Sequence, residues 1–298
     1  MAHLPAVNND ENAIQQTDIQ SKPIGEILVA GGKLTQEQVA SIAAYQQQNG
    51  KQFGEAALAL NLISRDDLTF ALSKQYDYTY LSPLESRIQR EVVVAYKPFS
   101  QFGEQIRALR TQLALKWFGE SPERRALSIV SPLRGEGKSF VCANLGISFA
   151  QQGLRTLLID ANLREPSLQR MFGLENGPGL SGILTERVSV ATAIERVAEV
   201  PSLNVLPAGP IPPNPQELLG RPLFSGVLMY SVSNYDVVLI DTPSVAQAAD
   251  SEVIAARVGA ALVVVRNNRT SVDLTNQLTE SLRNYGVNVL GAMLNDAT

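Results

Sequence analysis

The chain has 298 residues, 45% of them apolar and 18% charged, with a formal charge of −4 at neutral pH. That length predicts about two domains with cores of ordinary size. Residues 1–100 hold 8 basic and 11 acidic side chains and residues 101–298 hold 17 and 18, which argues against nucleic acid bound through bulk charge. One cysteine, Cys142, leaves no internal disulfide, and one histidine, His3, argues against a zinc site or a Ser/His/Asp centre. No apolar run approaches about 18 residues and the N-terminus lacks a signal pattern, so the expected location is the cytoplasm.

Residues 1–22 are polar and rich in Asn and Gln, and are expected to form a disordered lead. Residues 23–80 contain an internal repeat with an offset of 29: Ile24-Gly-Glu returns as Phe53-Gly-Glu, Leu34-Thr35 as Ile63-Ser64, Val39 as Leu68, Ala43 as Leu72 and Gln46 as Gln75. Each copy reads as a short helix, a turn, an N-cap (Thr35 or Ser64) and a second amphipathic helix, so two copies should pack into one small helical domain. Tyr76, Tyr78 and Tyr80 alternate, which fits a short closing strand better than a phosphorylation cluster. Residues 81–99, with Pro83 and Pro98, are expected to be the linker.

From residue 100 to 298 strands and helices alternate. Apolar runs at 126–130, 156–159, 203–206, 237–240, 260–265 and 287–294 are separated by helical patterns such as 144–151 and 274–285. Continuous Val/Ile/Leu strands between helices predict an α/β, doubly wound, mainly parallel sheet.

Ser131-Pro-Leu-Arg-Gly-Glu-Gly-Lys-Ser139 follows the first of these strands and opens a helix, the setting a phosphate-binding loop (P-loop) needs. Gly135 and Gly137 let backbone amides turn inward, Lys138 reaches the β- and γ-phosphates, and Ser139 can ligate Mg²⁺. Pro132 takes the position of the first glycine in the strict pattern. Leu157–Asp160 and Val237–Asp241 each end an apolar strand in a carboxylate, which puts both acids at the sheet edge where the loop lies. Such a carboxylate costs energy unless it is paired, bound to metal or capping a helix. With the loop, the pair suits phosphoryl transfer: Lys138 and Mg²⁺ neutralise developing charge, while Asp160 and Asp241 hold the metal and orient the attacking oxygen.

These segments resemble the bacterial tyrosine kinases (BY-kinases), and more narrowly the EpsG-type chain-length-determinant kinases of exopolysaccharide export. The resemblance rests on Gly-x-Gly-Lys-Ser, on Leu158–Pro166 as a Walker A′-like segment, on Leu206–Gly209 with Pro212–Leu219, and on Glu104-x-x-Arg107-x-x-Arg110. It spans residues 95–296 and implies ATP held by Arg134, Gly135, Glu136, Gly137, Lys138, Ser139 and Phe140, with Mg²⁺ on Ser139, Asp160 and Asp241. It also implies a ring of copies formed through Glu104, Arg107 and Arg110, and recruitment to the inner membrane by the cytosolic segment of a transmembrane chain-length regulator. Spacing alone reads Glu104, Arg107 and Arg110 as a solvated helix stripe worth about 0.2–0.5 kcal/mol.

Two departures from the family pattern stand out. Asn162 occupies the place of the second Walker A′ aspartate of many relatives, so metal binding is weakened or passes through water. The C-terminal tyrosine cluster is missing, and Tyr285 is expected to pack. Leu133 replaces the signature lysine of MinD/ParA-type ATPases, which weakens the alternative reading as an ATPase switch. The N-terminal repeat resembles the N-terminal domain of type II secretion and pilus assembly ATPases, some of which bind cyclic-di-GMP. Pro23 and Gln52 stand where arginines are expected, which favours docking of a protein over the dinucleotide and leaves a nucleotide-binding cyclic-di-GMP sensor as a further alternative.

Overall fold

The computed structural model describes residues 22–75, 81 and 86–296, in two units divided between Tyr78 and Thr79. The expected lead, Lys22 apart, and the Tyr76–Tyr80 strand lie outside the described residues.

Among its described residues the first unit has four helices: α1 (Ile24–Ala30), α2 (Gln36–Asn49), α3 (Phe53–Ala59) and α4 (Arg65–Gln75). The repeat explains its local structure twice over. Thr35 and Gln38 form a reciprocal capping box, and Ser64 and Asp67 reproduce it one repeat later. Gly32 (φ +67°) and Asn61 (φ +53°) fill the same left-handed slot. Leu28, Leu34, Ile42, Ala56, Ala57, Ile63 and Ala71 form the buried centre, drawn from both copies.

The second unit is a seven-stranded sheet: β1 (Ala126–Val130), β2 (Thr156–Asp160), β3 (Glu195–Arg196), β4 (Leu203–Leu206), β5 (Val237–Asp241), β6 (Ala260–Arg266) and β7 (Asn288–Asn295). The order is β3-β4-β2-β5-β1-β6-β7, and every pairing is parallel except the two-residue β3 against β4. Alternation sorts side chains between the two faces: Leu127, Ile129, Leu158 and Leu239 enter one core, while Leu157, Ile159, Val238 and Ile240 enter the other. The six long runs all became strands, whereas β3 is too short to leave a periodic trace.

The expected linker differs in part. Residues 86–99 pack onto the sheet domain through a short helix α5 (Val93–Tyr96), and Ile88, Val92, Val94 and Ala95 are buried. They meet α6 (Gln101–Lys116) and α7 (Lys138–Ala150). The Asn144 side chain of α7 accepts from Val94 N (2.9 Å) and donates to Glu91 O (3.2 Å), so one buried amide holds an aperiodic segment.

Arg110 corrects a second expectation. It is only 8% exposed and donates to the Ser148 carbonyl (2.8 Å) and hydroxyl (3.2 Å), tying α6 to α7 within one chain. Arg107 stays near the surface, paired with Glu104. Hydrogen bonds from a charged donor contribute about 1.5–3 kcal/mol. Arg110→Ala is therefore expected to lower the thermal midpoint by about 4–10 °C, while Glu104→Ala leaves it within about 1 °C. Differential scanning calorimetry of the two variants checks this. Tyr285 likewise departs from expectation: it is 59% exposed.

Candidate functional site

Burial runs unbroken along β1, and the chain then leaves the sheet through Ser131 and Pro132. The turn that follows depends on two left-handed glycines, Gly135 (φ +76°) and Gly137 (φ +93°), the second serving as N-cap of α7. At that φ any other residue is strained, and a Cβ on Gly137 would sit 2.1 Å from Asn295 Nδ2 and force that amide to move. Lys138 and Ser139 begin α7 on this turn. The Lys138 ammonium donates to Ser131 Oγ (2.9 Å), and burial pushes its pKa down while Asp241, Glu136 and Glu165 push it back up.

The two strand-end acids stand side by side. Asp160 pairs in register with Asp241 across the parallel β2–β5 contact, and both are fully buried. Asp241 Oδ2 accepts from Ser139 Oγ at 2.5 Å, which joins the acids to the phosphate loop. Oδ1 of Asp241 is buried and has no hydrogen-bond partner among the described residues, which fits an oxygen that can ligate a cation. Asp160 accepts three backbone amides, from Ser167 (2.9 Å), Leu168 (2.9 Å) and Asn162 (3.2 Å), so it also organises the loop into helix α8 (Leu168–Met171). Burial, with the neighbouring Asp241 charge, pushes Asp160 up to about 7; burial pushes Asp241 up to about 6 against the opposing pull of Ser139 and Lys138.

Other expected residues take different places. Arg134 is exposed and pairs with Glu165 (2.9 Å), bridging the loops after β1 and β2. The Glu136 carboxylate is buried as a brace, accepting from Leu133 N (2.6 Å) and from Thr270. Phe140 packs its ring on Phe102, with centroids 5.1 Å apart, and lines a groove of about 600 Å³ beside the loop. Both ends of the Asn162 amide bond Glu165 backbone (2.8 and 3.1 Å), so Asn162 folds a turn. Thr270 and Asn295 are functional braces that sequence reasoning missed. Asn295, which donates to Glu136 O (2.9 Å), carried the same polar-end-of-strand signal as the two aspartates.

This geometry is that of a P-loop nucleotide-binding domain. Residues 127–298 match the CobQ/CobB/MinD/ParA nucleotide binding domain family. The tyrosine-protein kinase YwqD of Bacillus subtilis is 35% identical over 210 residues, covering 70% of this chain and 87% of that one. The putative tyrosine-protein kinase CapB of Staphylococcus aureus is 34% identical over 202 residues, 67% and 86% of the two chains. The match to the tyrosine-protein kinase wzc of Salmonella typhi, at 32% identity, spans only 28% of that longer protein. The kinase domain of the Escherichia coli tyrosine kinase ETK superposes with a TM-score of 0.67 at 30% identity, over 72% of this chain and 82% of that one. The chain belongs to the bacterial tyrosine kinases built on this nucleotide-binding fold.

Proposed function

We propose that the chain uses Mg²⁺-bound ATP to phosphorylate tyrosine, its own included, in the control of polysaccharide chain length and export. The observation that carries this reading is the Ser139–Asp241–Asp160 cluster at the mouth of the phosphate loop. The turn at Gly135–Gly137 and the N-terminus of α7 would hold the phosphates, with the Lys138 ammonium on the β- and γ-groups. Ser139 and the unpartnered Asp241 oxygen would hold Mg²⁺, which needs only one or two carboxylates beside phosphate and water. The ion supplies neutralisation of charge on the phosphoryl oxygens. Phe140, with Phe102 and Leu109, would meet the base in the adjoining groove. Asp160 or Asp241 would accept the phenolic proton.

No helix among the described residues is long and apolar enough to cross a membrane; we assign membrane recruitment to a partner. That partner is the cytosolic segment of a transmembrane chain-length regulator, with copies assembling through the Glu104–Arg107 face. Incubation with labelled ATP and Mg²⁺ is expected to give phosphotyrosine that increases when this segment is added; no change on addition removes the partner assignment. A MinD/ParA-like switch has the same fold, but Leu133 in the signature-lysine slot offers an apolar side chain with neither charge nor donor for a phosphate, and lines a groove with Pro132, Val245 and Ala246. The helical repeat is proposed as a docking unit for protein, and calorimetry with cyclic-di-GMP is expected to show no heat.

A further inference from the structure

Phosphoryl transfer places the incoming and departing oxygens in line on opposite sides of phosphorus. The phosphate loop follows β1, so the departing side is fixed there. The two acids end β2 and β5, so we look for the incoming side among the loops that follow the neighbouring strands. A cleft of about 400 Å³ opens at that place, between Arg164 and Glu165 after β2, Gln247 after β5, and Ile211, Pro212 and Pro213 after β4. No residue of the phosphate loop lines it. Two of its walls are continuations of the segments that begin at Asp160 and Asp241.

The walls have a composition the fold does not require. Ile211 is 64% exposed at the sheet's carboxyl edge, held between Pro210 and Pro212, whose rings restrict the backbone. Arg164 is fixed by the fully buried Asp250 (Nε to Oδ2, 2.8 Å), and Gln247 by Ser244 (Oγ to Oε1, 2.9 Å). On the far side of the Ile211–Pro213 rib lies a second depression of about 290 Å³ with Ser181, Thr185 and Asn214 on its walls. An apolar rib between two polar-rimmed hollows suits an aromatic side chain on an extended polypeptide, with the ring on one side and a neighbouring residue on the other.

We propose that this cleft is the acceptor site: the tyrosine ring of a polypeptide substrate packs on Ile211, Pro212 and Pro213, with its hydroxyl toward Asp160 and Asp241. The assignment rests on the kinase reading above. The phenolic oxygen forms a bond to the γ-phosphorus, the bond from that phosphorus to the β,γ-bridging oxygen breaks, ADP leaves with the electron pair, and the phenolic proton passes to a carboxylate of the pair. Ile211 is then a specificity residue.

The test uses the full chain with Mg²⁺-ATP and a synthetic tyrosine peptide. Ile211→Asp is expected to raise the peptide KM by at least about tenfold, with affinity for a fluorescent ATP analogue unchanged. Ile211→Leu should restore the peptide KM. Met229→Asp, at a site 69% exposed on the helix Pro222–Asn234, controls for surface charge and should leave both values unchanged. A peptide KM that Ile211→Asp shifts no more than Met229→Asp overturns the acceptor site and leaves the kinase reading standing. A wild-type chain that hydrolyses ATP without forming phosphotyrosine overturns both.

Discussion

Asp241→Asn is expected to stabilise the nucleotide-free protein at pH 8 and, in the same molecule, to abolish phosphoryl transfer. The stability gain follows from the sign of the shift. Asp241 titrates near 6 and Asp160 near 7 in the fold, against about 4 when unfolded. Folding therefore favours their protonated forms, and the associated stability is full below pH 4 and lost as pH rises through 6 to 7. At pH 8 the buried pair is doubly charged. Removing one charge should recover about 1–3 kcal/mol, discounted because the two sites titrate together. The amide oxygen of the variant can still accept from Ser139. The wild-type thermal midpoint should fall between pH 5 and 8 without nucleotide, and this slope should flatten in the variant. Mg²⁺-ATP, which binds only the folded wild-type site, should close the gap by mass action. A variant less stable than wild type at pH 8 would show that the pair is not held under mutual repulsion.

Lys138→Met should reduce phosphoryl transfer by about 10²–10³-fold, the usual loss when one preorganised charge facing the developing charge is removed. Its effect on folding should be small. The stem is buried, so a methionine fills most of the same volume, and the ammonium makes one side-chain bond, to Ser131. Comparison of kcat/KM with urea midpoints separates the two effects. A variant that lost both together would make Lys138 a folding residue.

Much of this site is legible in the sequence, because two strong signals coincide in it. Val237–Asp241 and Thr156–Asp160 are strands by continuous burial, and an acid at the end of such a strand has no apolar role. Gly135 and Gly137 occupy left-handed geometry that the loop pattern itself demands. The less legible parts are those where direction matters more than spacing. Three residues stepping by three along α6 share a stripe, yet one of them, Arg110, points inward at Ser148. Residues 86–99 lack periodicity, and their place is set by the amide of Asn144, some fifty positions away. Asn162 reads as a weakened metal ligand by position, but its side chain folds the turn at Glu165. Thr270, in the turn after β6, donates to the Glu136 carboxylate and Asn295, at the end of β7, to the Glu136 carbonyl, contacts that only the tertiary fold creates.

The central claim concerns where the γ-phosphate of ATP goes. The most direct measurement follows labelled γ-phosphate in the full chain with Mg²⁺, counting label on tyrosine against label released as inorganic phosphate. The account predicts label on tyrosine, lost in Lys138→Met and in Asp241→Asn. Release of all label as free phosphate, or tyrosine label unchanged by either substitution, would contradict it.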